Sequence, residues 1–441
     1  MLKKVTNFFV SLVQKYLPNP FILAIILTLV VGAWAILATD SSVMEVVDYW
    51  GHGLWNLHAF TMQMILLLIF GYALAISEPG NKLIKKLCSI PKTNVQAVVM
   101  TSVIAFAAAY VNWGFGLIAG ALIAKNMAKL HYGKGIHFPL IVAAAYSGNL
   151  VRGPSTSIPL VIATEGHFLE DAIGIIPVME TLYSPWNLFI TIFIVVTVPI
   201  LYARLAAKQE NPMELNPADV KDDSPKEVTK AKKDMVVAEK LENASILSYF
   251  IGIAGLVFLV MWFATEGFAL NLNIVIMIFL IFGIIAHGTP IEYVKAIQNS
   301  MRTSAGVALQ FPIYAGIMGI MASSGLAEII TNFFINVSTP ETFNVFSFWS
   351  AGILNIFVPS GGGQWAIQGP IMLPAAEALG VDPARTAMAI AWGDSWTNQI
   401  QPFWALPLLA IADLSIRDIM GYCAMVLIWA GVFMSIAFYF I

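Results

Sequence analysis

The chain has 441 residues, of which 59% are hydrophobic and only 11% charged, and its mean hydropathy is +0.79. Soluble domains carry about 25% charged residues, so composition excludes a soluble enzyme and defines an all-α polytopic membrane protein. The net charge of −3 selects no nucleic-acid or other charged partner. The two cysteines, Cys88 and Cys423, form neither a metal motif nor a disulfide framework.

Apolar runs of about 20 residues cross a bilayer as helices. The first, 20–38, is one of many such runs and lacks a small-residue cleavage site, so it reads as a span and not as a signal peptide. Next comes 57–77, then two arms at 95–110 and 114–130 around Asn112-Trp113-Gly114-Phe115-Gly116. A segment at 138–163 is broken at Ala145-Tyr146-Ser147-Gly148-Asn149 and again from Pro154 to Pro159, and 186–204 follows. Residues 205–245 hold Lys208, Lys221, Lys226, Lys230, Lys232, Lys233 and Lys240 against nine acids, with Pro212, Pro217 and Pro225, and read as a solvated linker. Beyond it lie 246–264, 270–286, 304–323, and two arms at 343–358 and 362–379 around Pro359-Ser360-Gly361-Gly362-Gly363. The last elements are 386–412, broken at Trp392-Gly393-Asp394-Ser395-Trp396 and from Pro402 to Pro407, and 419–440.

The two halves follow one plan. Gly114 and Gly116 match Gly361 and Gly363 at a shift of 247, and Ser147, Pro154 and Pro159 match Ser395, Pro402 and Pro407 at 248. The span 246–264 is left over, and an odd linking span inverts the second copy. The domains expected are a first repeat at 1–204, a cytoplasmic linker at 205–245, a linking span at 246–264 and a second repeat at 265–441. Loop charge agrees, because cytoplasmic loops collect Lys and Arg. Lys82, Lys85, Lys86 and Lys92 precede the first arm pair and Lys125, Lys129 and Lys134 follow it; their counterparts hold Glu328, Glu341, Glu377 and Asp382, with Arg385 the only base. With Lys3, Lys4 and Lys15 inside and Asp40, Glu45 and Asp48 outside, the amino terminus is expected in the cytoplasm and the carboxyl terminus outside.

Paired Gly/Pro-broken segments at matching places in two halves point to a transporter's central binding site. Arms of about 16 residues reach roughly 24 Å as helix, which suits a re-entrant hairpin as well as two short spans. A tip at membrane depth must face a cavity or protein, where converging helix N-termini favour an anion; close helix packing is the plainer use of such glycines. The substrate-binding candidates are Asn112, Gly114, Ser147, Asn149, Ser360, Gly361, Gly362, Gly363, Ser395, Asn398 and Gln399. Asp394 is a carboxylate within an apolar span, functional by default, and is the candidate for coupling to H⁺ or Na⁺, with helix capping as its alternative use. Arg152 either meets a substrate carboxylate or snorkels to an interface. Trp113, Phe115, Trp365, Trp392, Trp396, Phe403 and Trp404 surround the breaks, as packing, as an interfacial belt or, for a few, as walls of a small apolar pocket.

No phosphate-binding loop is present: Gly133-Lys134 has Ala128 where the first glycine belongs. No zinc-protease motif or nucleophile elbow occurs either, so neither an enzyme nor a bound cofactor is expected, and no metal beyond a transported Na⁺. The chain resembles the bacterial short-chain fatty acid transporter family, the permeases of acetoacetate and butyrate use. The resemblance runs nearly end to end and is carried by Tyr16-Leu17-Pro18-Asn19-Pro20, by both Gly-rich tips, by Ile367-Gln368-Gly369-Pro370, by Gln401-Pro402-Phe403-Trp404-Ala405-Leu406-Pro407 and by Arg417-Asp418-Ile419-Met420-Gly421-Tyr422. It implies an ion-coupled symporter of short monocarboxylates in the bacterial inner membrane, with re-entrant hairpins, an elevator motion and a homodimeric assembly. Arg152 is not among the residues that carry the resemblance. A carrier for a dicarboxylate or an inorganic ion, and a membrane-embedded enzyme or sensor, are the alternatives.

Overall fold

Inside a bilayer the backbone has no water to bond, so a spanning chain satisfies its amides and carbonyls within helices. The computed structural model describes residues 18–208, 212–215, 235–400, 404–405, 408–409 and 414–441, and all regular structure among them is helical. The first half contains α1 (Pro20–Ala38), α2 (Val43–Gly53), α3 (His58–Ile76), α4 (Glu78–Cys88), α5 (Asn94–Val111) and α6 (Trp113–Leu130). It continues with α7 (Phe138–Tyr146), a tight 3-10 turn at Ser147–Leu150, α8 (Ser157–Ile162), α9 (Glu170–Ile173) and α10 (Pro185–Ala207). After α11 (Val237–Glu242) and α12 (Ser245–Glu266) come α13 (Leu272–His287), α14 (Pro290–Ser324), α15 (Leu326–Val337), α16 (Pro340–Phe357), α17 (Gly361–Ala378), α18 (Pro383–Thr397) and α19 (Ile416–Phe440). Seven helical runs among the described residues are long and apolar enough to cross a membrane.

Polar residues that cap free amides, and prolines that need none, set the helix starts. Asn19 accepts from Phe21 N before Pro20, Thr93 from Gln96 N, Asn271 from Ile274 N, and Thr289 from Glu292 N before Pro290. Ser42 and Glu45 close a reciprocal capping box at the start of α2.

Every span and arm expected from hydropathy is helical, and besides the short α9 and α11 four larger features go beyond that reading. The helices α2, α4 and α15 lie in stretches read as loops, and α14 starts at Pro290 instead of 304. Charge hid them. Exposed Lys82, Lys85 and Lys86 line α4 while Ile84 and Cys88 are buried, and α14 opens with Glu292 and Lys295 paired at 3.2 Å. The additions fall at matching places: α4 and α15 begin 248 residues apart, and the first turns of α14 stand where α2 would recur. Packing partnerships recur as well, with α4 on α6 and α15 on α17, α5 on α7 and α16 on α18, and α3 on α6 and α14 on α17. The 35-residue α14 is roughly 52 Å long. Pro312 interrupts it, withholding the amide that would bond the carbonyl of Ala308.

The amino-terminal lysines, residues 209–211 and 216–234 of the linker, and Gln401, Pro402, Phe403, Leu406 and Pro407 lie outside the described residues. The described start of the linker is docked. Glu214 accepts from Gly133 N at 2.7 Å, from Ile136 N at 3.2 Å and from Gly135 N, and Phe138 N donates to Met213 O at 2.8 Å.

A close backbone crossing sets α2 against α14. A Cβ on Gly319 would stand 2.6 Å from the carbonyl oxygen of Tyr49 and 2.8 Å from Gly53 Cα, whereas one on Gly51 would meet nothing within 4 Å. Gly319→Ala therefore forces two backbones apart, at roughly 1–3 kcal/mol by the usual penalty of overpacking. Its melting temperature in detergent should fall below wild type, while Gly51→Ala, on α2, should not lower it.

Candidate functional site

Both tips are built alike. Asn112 and Ser360 are extended, at φ −157° and −158°, and each turns the chain so that a new helix starts in the interior. Asn112 Oδ1 accepts from Phe115 N at 2.8 Å, and Ser360 Oγ from Gly363 N at 3.4 Å. Each tip is also tied to the broken segment of its own half. Trp113 N donates to Ser155 Oγ at 3.0 Å, and Trp404 Nε1 donates to Pro359 O at 2.9 Å. The indoles of Trp113 and Trp404 meet edge to face at 5.5 Å, joining the two tips.

The glycines give these tips their close fit. Added Cβ atoms would stand 2.5 Å from Ala109 Cα at Gly116, 2.7 Å from the Phe60 ring at Gly362 and 2.5 Å from the Tyr314 ring at Gly363. At Gly361 the neighbours are functional groups: Ser157 Oγ at 2.9 Å and Asp394 Oδ2 at 3.2 Å. The second tip thus rests directly on a carboxylate.

Where the helices break, polar side chains hold the loosened backbone. Tyr146 Oη donates to the Asn398 carbonyl at 2.6 Å, linking the break of the first half to that of the second. Asn355 Nδ2 donates to Thr397 Oγ1 at 2.9 Å and to Asn398 Oδ1 at 2.8 Å, and Thr397 Oγ1 donates to Gly352 O at 2.8 Å. Trp392 Nε1 donates to Asn187 Oδ1 at 2.8 Å. Ser147 and Ser395 bond back to Ala144 O at 2.8 Å and Trp392 O at 3.0 Å, the local bonding that hydroxyls use to bend helices.

Tips and breaks converge on a cavity with about 70 Å³ of room for the centre of a water-sized sphere. One water needs roughly 10–15 Å³ on that measure, so the cavity suits a solute of a handful of non-hydrogen atoms. Asn149, Arg152, Thr156, Ser157, Ser360, Asp394 and Asn398 make its polar side, and Met64, Val307, Phe311, Trp113 and Trp404 its apolar side. Arg152 Nη2 donates to Asp394 Oδ2 at 3.0 Å, with the two side chains 10% and 5% exposed. Asp394 Oδ1 and Arg152 Nε are buried without a hydrogen-bond partner.

Of the residues singled out from the sequence, Asn149, Arg152, Ser360, Gly361, Gly362, Asp394 and Asn398 line the cavity. Asn112, Gly114 and Gly363 shape the tips behind it, and Ser147 and Ser395 face their own helices. Gln399 is 1% exposed, lies outside the lining and leaves both amide atoms unpaired. For Arg152 the sequence left two uses open; the guanidinium stands in the cavity on Asp394. The lining residues that sequence reasoning passed over are Thr156, Ser157, Met64, Val307 and Phe311. The first two fall inside the stretch from Pro154 to Pro159, where the broken backbone was a usable signal.

A multi-pass helical protein whose two glycine-rich tips meet around a small cavity with one ion pair is a membrane transporter in build. The chain belongs to the short-chain fatty acid transporter family, whose model matches residues 1–441. It is 42% identical over 434 residues to a provisionally named short-chain fatty acid transporter of Escherichia coli K12, with 98% of each chain covered. It is also 42% identical over 452 residues to a similarly named protein of Haemophilus influenzae, with both chains covered in full. Its fold is similar to that of the YdaH transporter of Alcanivorax borkumensis, at a TM-score of 0.57 and 14% identity over 95% of this chain and 98% of that one. A second structure, the antimetabolite efflux pump MtrF of Neisseria gonorrhoeae, matches at 0.50 and 14% identity over 100% and 96% of the two chains.

Breaking a buried pair by removing one partner costs about 3–5 kcal/mol, whereas removing both is often near neutral. Arg152→Gln should therefore lower the melting temperature more than the double variant Arg152→Gln/Asp394→Asn does. Thermal unfolding of both in the same detergent checks this.

Proposed function

We propose that the chain is a secondary carrier for short-chain monocarboxylates of the butyrate and acetoacetate type, and not an enzyme. The observation that carries this is the cavity itself: one guanidinium on its polar side, an apolar wall of Met64, Val307 and Phe311 opposite, and room for few atoms. The carboxylate lies against Arg152 and the first amides of α17, with Asn149 and Asn398 beside it. The α17 terminus is the anion pole because its first residues, Gly361 and Gly362, line the cavity, whereas at α6 the Trp113 and Phe115 amides are taken by Ser155 and Asn112. A dianion finds no second cation here, since Arg152 is the only basic side chain among the described residues that line the cavity.

The two halves are inverted repeats, 1–204 and 265–441, joined through the linker 205–245 and the span 246–264, and they alternate access to this site. Exposed lysines on α4 against exposed Glu328 on α15 support opposite sidedness of matching helices. On this reading the amino terminus and the linker lie in the cytoplasm of a bacterial cell, the carboxyl terminus lies outside its inner membrane, and a coupling cation, H⁺ or Na⁺, moves with the anion. The family resemblance adds a homodimer.

The test is uptake of labelled acetoacetate into proteoliposomes under imposed H⁺ and Na⁺ gradients, with protein-free liposomes as the baseline. Gradient-driven accumulation above that baseline is expected; its absence for every monocarboxylate tried removes the substrate assignment. The apolar wall gives a second measurement. One methylene changes discrimination by about 10–200-fold, so Val307→Phe should weaken competition by butyrate at least about tenfold while sparing acetate.

A further inference from the structure

The charges of this cavity are already balanced before any substrate arrives. Among the described residues, Arg152 and Asp394 are the only ionisable side chains lining it, and they neutralise each other at 3.0 Å. An entering monocarboxylate brings a second negative charge to a single guanidinium. Both side chains of the pair are nine-tenths or more buried, and an uncompensated charge in such a place is costly. The site has too few cations for two carboxylates.

We propose that Asp394 is a resident stand-in for the substrate's carboxylate, and that substrate binding is an exchange at Arg152 coupled to protonation of Asp394. The proposal rests on the monocarboxylate reading above. The substrate carboxylate takes over the Arg152 guanidinium, and Asp394, released from it, takes one proton from the solution on the side of entry. Only an O–H bond forms, nothing is oxidised or reduced, and Arg152 keeps its proton throughout. The site is neutral before the exchange and neutral after it. The substrate thus crosses with one proton, and the net cycle moves no charge.

The geometry fits this exchange at three points. Asp394 Oδ1 is buried and unpaired, so an acid proton there displaces no existing bond. Asp394 Oδ2 lies against Gly361, so loss of the ion pair is felt directly by the second tip. Among the described residues no other charge competes for the carboxylate. The helix α18 packs on α16, α17, α8, α19 and the Ser147–Leu150 turn. Glu341 on α16, Glu377 on α17, and Arg417, Asp418 and Tyr439 on α19 are exposed to the surroundings of the bundle. Tyr422 is half-buried, and Cys423 is buried near Tyr146 and Tyr202. Tyr146 gives its hydroxyl to the Asn398 carbonyl, and Arg385 and Asp382 pair with each other at the opposite end of α18. Neither α8 nor the turn carries an ionisable side chain.

The test counts protons. Purified full-length protein in weakly buffered detergent, free of Na⁺, is titrated with acetoacetate while a pH indicator reports proton uptake. About one proton per bound anion is expected, with the Kd rising tenfold per pH unit on the alkaline side. Asp394→Asn should bind acetoacetate with no proton uptake and a Kd independent of pH, while Asp394→Glu should keep the uptake. In proteoliposomes, wild-type accumulation should follow the pH gradient and ignore an imposed membrane potential. Binding by the wild type without proton uptake, binding that needs Na⁺ in place of protons, or proton uptake that survives in Asp394→Asn overturns the exchange and leaves the carrier reading standing. Failure to bind any monocarboxylate, with Na⁺ present as well as absent, removes both. Because the wild-type proton count decides by itself, a variant that does not fold changes nothing.

Discussion

Helices that stop in the middle of an apolar bundle expose amides and carbonyls where no water can reach them, and the whole centre of this protein is organised to answer that demand. Ser155 takes the amide of Trp113, Trp404 takes the carbonyl of Pro359, and Tyr146 takes the carbonyl of Asn398. These partners come from the broken segments, so the same bonds that satisfy the tips also lock tips and breaks together. Four interruptions are thereby gathered at one place. A binding cavity results from solving the backbone's problem, with little further arrangement required.

Onto that frame the chain adds a single pair of opposite charges. Arg152 comes from the first half and Asp394 from the second, so the pair reports on the relative position of the halves as well as on what occupies the cavity. Gly361 brings the second tip against the carboxylate with no side chain between them. Any larger residue there would separate the tip from Asp394, which is why glycine and not a small polar residue suits this point. The apolar remainder of the wall, Met64, Val307 and Phe311, comes from α3 and α14, the elements on which the tip glycines pack.

Much of this was legible in the sequence because turn chemistry leaves local marks. The tips declared themselves through Asn112 and Ser360 followed by glycines, and the breaks through Pro154 and Pro159. The spans declared themselves through unbroken apolar runs. What sequence could not give was pairing at a distance: Arg152 and Asp394 stand 242 residues apart, and nothing near either names the other. Ser147 and Ser395 illustrate a different limit. Their equivalent positions suggested ligands, yet the equivalence reflects a shared local bond to the carbonyl three residues back. Amphipathic α4 and α15, and the charged opening of α14, escaped because a hydropathy reading averages away a helix that is apolar on one side only.

The two halves are not copies in every respect. Where the first half interrupts its chain between α2 and α3, the second runs straight through as α14, and its weakest turn is at Pro312, next to Phe311 in the cavity wall. A long rod with one missing rung bends most readily there. The end of α14 that crosses α2 at Gly316 and Gly319 can therefore stay seated while the other end tilts, and the pivot of that tilt touches the place where a solute's hydrocarbon tail would rest.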